Sequence, residues 1–372
     1  ALGVSSPGQL TRMYRGIVFP DEEGSQGYGQ SLYNLLWAPV EAKLGPEVTR
    51  IFYAPAASLH QISLAAIPIN DSLTLSDRYR LMRLTTTASL LQNTFNDTTA
   101  AESLVVYGGI DFDIDPAQQI QYAALYNNTI NQNDYSTLAV ASTYESRGEN
   151  WNYLPGTLSE AKAIQLIALK SNCKTNLISG GEAVEESFKW FAGTMSPDII
   201  HVATHGYFFP NENKQDLQTF FSRNENQQVF KKHENPLQRS GLLLAGANNA
   251  WKGRSLPPEI EDGILTAYEI SNMYLPNTKL VVLSACETGL GDLRGDEGVF
   301  GLQRAFKTAG VQYIIMSLWK VPDIETSEFM QVFYSLHFGG LSIPDAFDAA
   351  QTEMRNKYRN EVFKWAAFVL LF

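Results

Sequence analysis

Cysteine is scarce in this sequence: the 372 residues contain Cys173 and Cys286 only. A chain of this length held together by disulfide bonds would carry more, so a disulfide-rich secreted framework is excluded and a reducing, cytoplasmic location is expected. No apolar run reaches about 18 residues, the length that a membrane-spanning helix needs. The first residues also lack the charged-then-apolar layout of a signal peptide. We therefore expect no membrane contact.

Other motifs with a defined chemistry are missing as well. The five histidines show no spacing that suggests zinc, and neither GxSxG nor GxxxxGK[ST] occurs, so we expect no metal and no cofactor. A glycine-rich turn at 289–295 could seat a phosphate at a following helix. Its spacing is GxGxxxG, however, and Asp292, Asp296 and Glu297 would repel the phosphate.

Positive charge is in deficit, with 28 Lys and Arg against 39 Asp and Glu and a formal net charge of −11. An acidic surface repels phosphate backbones, so direct nucleic-acid binding is not expected. The chain does not begin with Met. We therefore expect residues 1–30 to be the remnant of a longer chain.

Apolar runs and helical patterns alternate along the rest of the sequence, which predicts an α/β fold with a mostly parallel sheet covered by helices on both faces. Strands are predicted at 50–53, 80–85, 103–107, 174–178, 198–203, 242–245, 279–285, 312–317 and 366–371. The helices include 32–44, one that begins with a Thr157–Glu160 capping box, 185–192 and 299–309. The polar stretches 126–152 and 211–238 are predicted to be a linker or loop and an exposed insertion.

Two reactive residues directly follow predicted strands. His205 follows the strand at 198–203, and Cys286 follows the strand at 279–285. Ligands bind beyond the carboxyl ends of parallel strands, so neighbouring strands would bring the imidazole and the thiol to one edge of the sheet. A thiol nucleophile and an imidazole base need that placement. The N–H groups of Gly206 and Cys286 could then form an oxyanion hole.

The remaining cysteine and a second histidine have simpler interpretations. Cys173 stands at a helix-to-strand junction and is predicted to be a packed thiol. His201 lies within an apolar strand, four residues before His205, and is predicted to be a core histidine with a satisfied partner.

Several segments resemble the CHAT family of caspase-related proteins. They are HVATHGYF (201–208), LSACETGLGDLRGDEGVFGLQRAFKTAG (283–310), IIMSLWKVPD (314–323), DAFDAAQTEMR (345–355), WAAFVLL (365–371) and the early stretch from 32 to 69. The resemblance implies a caspase-hemoglobinase fold and a cysteine endopeptidase with a Cys286–His205 dyad. It also implies a pseudo-caspase-like α/β lobe at 31–150 and a catalytic lobe at 151–372. Members are mostly prokaryotic, often follow tetratricopeptide repeats, and several act in defence or cell-death pathways.

The same resemblance suggests substrate-binding residues. In caspases the loop after the next strand pairs with substrate backbone, and here that loop contains Ser317, Leu318 and Trp319. Trp319 could equally be a core aromatic. A similar stretch of separase makes Asp323 a specificity determinant, although it could instead cap the following helix.

Two further groups bear on the residue before the cut. Ser284, two positions before the nucleophile, is small and neutral where caspases carry a contact for aspartate. Asp296 and Glu297 line the cleft or face solvent. An acidic pocket favours Arg or Lys, with a small apolar residue as the alternative.

The predicted function is therefore cleavage of a specific protein, bound as an extended peptide and controlled by a repeat region or a regulatory partner. The alternative is a catalytically silent caspase-like interaction module.

Overall fold

A computed structural model describes residues 7–19, 28–91, 100–127, 150–208, 235–254, 256–258, 260–284 and 297–372. Within these ranges the strands are β1 (Arg50–Tyr53), β2 (Arg80–Arg83), β3 (Ser103–Ile110), β4 (Lys174–Gly180), β5 (Ile199–Val202), β6 (Gly206–Phe208), β7 (Ser240–Leu243), β8 (Ile264–Thr266), β9 (Leu280–Leu283), β10 (Tyr313–Ser317) and β11 (Phe368–Leu371). The predicted linker and insertion fall largely outside the described residues.

The helices in the same ranges are α1 (Pro7–Val18), α2 (Tyr28–Leu36), α3 (Ala38–Glu41), α4 (Leu75–Arg78), α5 (Pro116–Tyr126), α6 (Pro155–Lys170), α7 (Glu185–Trp190), α8 (Ala247–Trp251), α9 (Ala267–Asn272), α10 (Glu297–Thr308), α11 (Asp323–Phe338), α12 (Ile343–Lys357) and α13 (Val362–Trp365). None of them combines the length and the apolar character that a crossing of the lipid bilayer requires. A single helix predicted at 32–44 is instead α2 and α3. Pro39, in the first turn of α3, cannot donate the hydrogen bond that an uninterrupted helix would need.

The chain divides into two compact units, the first with residues 1–100, 289–296 and 315–372 and the second with 101–288 and 297–314. The boundary that the sequence predicts at residue 150 falls inside the second unit. β3 and α5 therefore belong to the same unit as His205, although they precede that boundary. Strand β10 passes from the second unit into the first.

The second unit contains the strand order β4-β3-β5-β9, and each of these pairs is parallel. All residues of β5 and β9 are buried, as expected for strands covered on both faces. A smaller antiparallel sheet, β6-β7-β8, follows directly from the end of β5. The predicted α/β class with a mostly parallel sheet is thus confirmed.

Helix α6 lies close to the end of β3 because glycine leaves room there. A Cβ on Gly108 would lie 2.4 Å from the carbonyl oxygen of Thr157. The Thr157 hydroxyl accepts a hydrogen bond from Gly109 N (2.9 Å) and donates one to Leu154 O (2.8 Å). The predicted Thr157–Glu160 capping box is therefore wrong, since α6 begins at Pro155 and Glu160 is directed into the core.

Glu160 forms a buried pair with His201. The His201 ring is fully buried in β5, and its Nε2 lies 3.0 Å from Glu160 Oε1 on α6. Polar groups removed from water are stable only when they are hydrogen-bonded, and this pair satisfies that requirement for both side chains. The prediction that His201 is a satisfied core histidine is confirmed.

The first unit contains the strand order β1-β2-β11-β10, with β1 and β11 parallel to β2. Helices α11 and α12 pack against each other, and Phe329 of α11 stacks on Phe368 of β11 with ring centroids 4.4 Å apart. Both rings are fully buried, so the pair fixes α11 against β11.

Asp77 links α4 to the chain after α12. Its carboxylate accepts hydrogen bonds from Thr74 N (2.8 Å) and Arg359 Nη2 (3.0 Å). Burial alone would raise the pKa of Asp77, but these hydrogen bonds lower it below its ordinary value. The carboxylate therefore stabilises the fold at neutral pH, and this contribution is lost as the pH falls through the lowered pKa.

Replacing Asp77 by Asn should lower the free energy of unfolding by about 1 kcal/mol at neutral pH. The change weakens the hydrogen bond from Thr74 N, which caps α4, and removes the ion pair with Arg359. Urea unfolding of both proteins at neutral pH and at a pH below the ordinary pKa of Asp, about 3.9, measures the difference. We expect the gap to shrink in acid. A gap of the same size at both pH values would contradict the role given to the carboxylate.

Candidate active site

The ends of β5 and β9 lie side by side in the second unit. Val202 is in register with Leu283, and Ser284 N donates to Val202 O (2.9 Å). The sequence predicts that His205 and Cys286 meet only if the strands before them are parallel neighbours. β5 and β9 are such neighbours. His205 stands three residues beyond Val202. Cys286, two residues beyond Ser284, lies outside the described residues, as does Asp296.

His205 is buried, with 6% of its surface exposed, and its Nε2 lies 2.8 Å from the carbonyl oxygen of Asn152. A carbonyl oxygen only accepts, so Nε2 carries the hydrogen of this bond. In the neutral ring the lone pair then belongs to Nδ1. The base of a proton transfer at His205 would accordingly be Nδ1.

Two aromatic rings flank the imidazole. The ring of Phe112 lies 5.2 Å from that of His205, and the ring of Trp151 lies 5.0 Å away, both tilted. Phe112 comes from the loop after β3, and Trp151 precedes α6. Together with the bond to Asn152, these contacts restrict the orientation of the ring.

Gly206 and Ser284 are both buried beside this point. Gly206 is the first residue of β6 and stands opposite Leu242 of β7, while Leu243 N donates to His205 O (2.9 Å). Ser284 is 4% exposed and is tied to β5 through its backbone. Their predicted roles, in an oxyanion hole and a specificity pocket, stay predictions.

The loop that follows β10 belongs to the first unit. Leu318 N donates to Ala367 O (2.9 Å), and Leu318 is buried. The Ser317 hydroxyl is buried and has no hydrogen-bond partner within the described ranges.

The side chain of Trp319 is packed within the first unit. It is 3% exposed, its Nε1 donates to Phe363 O (2.9 Å), and its ring meets that of Tyr14 edge-on at 5.9 Å. This packing agrees with the alternative that Trp319 is a core aromatic residue. A contribution of Trp319 to a substrate groove stays a prediction.

Two acidic residues predicted near the site lie at helix starts. Asp323 is exposed and is the first residue of α11, with Pro322 in the N-cap position. The alternative that Asp323 caps the helix through its side chain is therefore wrong. Its carboxylate, in the first turn, still interacts favourably with the helix dipole. Glu297 is the first residue of α10.

Cys173 lies in surroundings that suppress the reactivity of its thiol. Cys173 is 3% exposed, and burial raises the pKa of its thiol to about 11. The thiolate is the reactive form, so Cys173 is inert at neutral pH. The prediction of a packed thiol is confirmed.

A carboxylate cluster in the second unit already holds a cation. Lys189 Nζ lies 2.8 Å from Glu185, 2.6 Å from Glu261 and 3.0 Å from Glu269. Burial raises the pKa of Glu185, while the carboxylates raise that of Lys189 against the opposing effect of burial. An ammonium group thus occupies the place where a metal ion would otherwise be considered.

Sequence reasoning missed Asn152, Phe112 and Trp151. The contact from Asn152 is made by its carbonyl oxygen, which every residue type has, so no residue pattern marks it. Phe112 stands in the alternating stretch IDFDID (110–115), a pattern typical of a strand and not of a site, and Trp151 stands between two Asn residues. A Trp-Asn pair two residues before Leu154-Pro155-Gly156 was the only local signal.

Comparison with known proteins agrees with the motifs. The sequence model of the CHAT domain matches residues 26–372. Tetratricopeptide repeat protein 28 of Homo sapiens is 34% identical over 115 residues, which are 31% of this chain and 5% of that protein. The protein of the same name from Mus musculus is 32% identical over 115 residues, with the same shares. The match therefore covers a small part of these relatives' own length.

Solved structures show a more distant likeness. The Arg-specific cysteine proteinase gingipain R aligns with a TM-score of 0.45 and 11% identity, over 96% of this chain and 69% of that chain. A complex of Porphyromonas gingivalis RgpB pro- and mature domains aligns with a TM-score of 0.48 and 10% identity, over 96% and 70%. The family match, in contrast, spans nearly the whole sequence. The chain belongs to the CHAT domain family.

Proposed function

We propose that this chain is a cysteine endopeptidase in which Cys286 is the nucleophile and His205 the general base. One observation carries the proposal: the carbonyl oxygen of Asn152 engages Nε2 of a buried His205 at 2.8 Å. This bond assigns the basic lone pair to Nδ1 at the end of β5. The neighbouring β9 leads, two residues beyond Ser284, to Cys286. Family membership and this geometry support the same dyad.

The reaction follows from the two groups. Nδ1 of His205 takes the proton of the Cys286 thiol, and the sulfur forms a bond to the peptide carbonyl carbon. The tetrahedral intermediate then collapses, the C–N bond breaks, and the imidazolium gives its proton to the leaving amine. A water molecule, deprotonated by His205, attacks the thioester, which returns the free thiol and releases the acid.

The oxyanion of the intermediate needs preorganised donors, and the backbone N–H groups of Gly206 and Cys286 are our candidates. Gly206 opens β6 directly after His205, so its peptide is fixed by the same strand pairing. For the substrate we propose an extended peptide that pairs with the backbone of Ser317–Trp319.

The residue before the cut is a separate part of the proposal. We expect Arg or Lys, because acidic groups and a net charge of −11 favour a cation. Asp323 is exposed, however, and so does not carry the cost of a buried carboxylate. Asp296, Glu297 and the small Ser284 are the remaining grounds for this preference.

The setting of the activity is also proposed. Two relatives are tetratricopeptide repeat proteins, which supports control by a repeat region or a regulatory partner. The motif resemblance suggests a prokaryotic defence or cell-death pathway. Two cysteines in 372 residues favour the cytoplasm. The competing function is a silent interaction module, with an intact dyad that performs no chemistry.

Labelling with an irreversible, thiol-directed peptide inhibitor distinguishes the two functions. We expect one inhibitor per chain, attached to Cys286, with Cys173 unlabelled because burial raises the pKa of its thiol to about 11. Intact mass and peptide mapping measure the stoichiometry and the position. Labelling of neither cysteine, in the presence of the repeat-containing full-length protein, would support the silent module.

A further inference from the structure

Asn248 makes three hydrogen bonds around the two aromatic residues that flank His205. Its side-chain Oδ1 accepts from Trp151 N (2.9 Å), and its Nδ2 donates to Trp151 O (3.0 Å). Its backbone N donates to Phe112 O (3.0 Å). With 1% of its surface exposed, Asn248 has no access to water that could replace these bonds.

The side-chain amide of Asn248 forms hydrogen bonds with both backbone polar groups of Trp151, the N–H and the C=O. An amide is the neutral side-chain group that offers an acceptor and a donor side by side, and it matches one N–H and one C=O of an extended residue. The two bonds also determine which atom of the amide is oxygen. They hold the peptide between Trp151 and Asn152 in place.

That peptide is one residue away from the acceptor for His205. The carbonyl oxygen of Asn152 receives the Nε2 hydrogen at 2.8 Å. A displacement of Trp151 would move both this acceptor and the ring that lies 5.0 Å from the imidazole. Asn248 is thus connected to His205 through one backbone segment and two aromatic contacts.

The helix that carries Asn248 is well fixed. Gly246 precedes α8 with φ +80, a conformation that favours glycine, and a Cβ there would lie 2.3 Å from Gln119 Oε1. Gly246 N also donates to Asp111 O (3.1 Å). Trp251, at the end of α8, meets the ring of Trp151 edge-on at 5.3 Å.

We infer that Asn248 is a positioning residue that fixes the tautomer and orientation of His205 through the Trp151–Asn152 backbone. The inference rests on the proposed function for its catalytic meaning, but its structural part concerns His205 alone. A misplacement of about 1 Å in a catalytic group can slow a reaction about 100-fold.

The experiment compares Asn248→Ala with Asn249→Ala. Asn249 is the adjacent residue on α8, is 2% exposed, and bonds to Ile114 O (2.9 Å) and Gln119 rather than to Trp151. The two variants therefore remove equally buried amides from one helix. Histidine labelled with ¹⁵N reports the tautomer of His205, and inhibitor labelling at several pH values reports the reactivity of Cys286.

We expect Asn248→Ala to lose the Nε2–H tautomer signal of His205, to slow labelling of Cys286 by about 10- to 100-fold at neutral pH, and to shift its pH profile. Asn249→Ala should keep the tautomer and the profile. An unchanged His205 signal in Asn248→Ala, or the same loss in both variants, would overturn the inference. If the proposed function alone is wrong, the tautomer signal still depends on Asn248 while Cys286 stays unreactive in the wild type.

Discussion

Replacing Cys286 by Ala should abolish peptide cleavage, and replacing His205 by Ala should do so to a similar extent. Removal of a catalytic nucleophile or its base lowers kcat by about 10⁶-fold, because the two groups act as a unit. Folding should be intact in Cys286→Ala, which removes a single sulfur atom. Turnover of a cognate peptide, measured in the preparation that the inhibitor labels, reports both effects.

The matched control is Cys173→Ser. Cys173 is buried between α6 and β4, its sulfur contacts Lys174 O at 3.6 Å, and it has no part in the proposed reaction. Its replacement should leave turnover unchanged. Substantial turnover by Cys286→Ala would remove the assignment of the nucleophile, whatever the result for His205.

Replacing Glu160 by Ala should have a large effect on stability, a loss of about 1–3 kcal/mol in the free energy of unfolding. The change leaves His201, which is fully buried in β5, without its bond to Oε1. A buried polar atom that loses a hydrogen bond retains the penalty of its removal from water. Chemical denaturation with far-ultraviolet circular dichroism measures the loss.

Glu160→Gln is the control, because its side-chain oxygen can still accept a hydrogen bond from Nε2. We expect this variant to be several times less destabilised than Glu160→Ala. The double variant Glu160→Leu with His201→Leu should recover part of the loss, since both polar groups are then removed. Equal destabilisation by Ala and Gln would show that the hydrogen bond from Nε2, which Gln can still accept, does not determine the effect.

Much of the fold follows from local patterns. A short apolar run predicts β1 at 50–53, and the continuous apolar run at 279–285 predicts β9, observed at 280–283. Apolar residues at spacings of three and four predict α10. Each of these signals depends on neighbours within one turn or one strand, so no knowledge of the tertiary structure is needed.

Tertiary contacts explain why some features were predicted wrongly or missed. The Thr157–Glu160 pattern is typical of a helix cap, but His201 lies 41 positions away and takes the Glu160 carboxylate into the core. The acceptor for His205 lies 53 positions away and is a backbone carbonyl. A contact between distant segments leaves no periodic trace in the sequence, and a backbone acceptor leaves no residue type to search for.

In the candidate site, too, some features follow from the sequence and others depend on tertiary contacts. The positions of His205 and Cys286 after strands are readable from the sequence, because a parallel sheet brings strand ends to one edge. The support of His205 by Asn152, Phe112 and Trp151 depends on loops that only the folded chain brings together. The tautomer of His205 was accordingly beyond the reach of sequence reasoning.

The rate at which iodoacetamide alkylates Cys286, measured over a range of pH in the wild type and in His205→Ala, tests the dyad most directly. It needs no knowledge of the substrate, and Cys173, whose thiol has its pKa raised to about 11, serves as an internal reference. In the wild type we expect Cys286 to react well below the pH at which an ordinary thiol ionises, about 8.5. In His205→Ala its profile should return to that of an ordinary thiol. Identical profiles in the two proteins would contradict the assignment of His205 as the base.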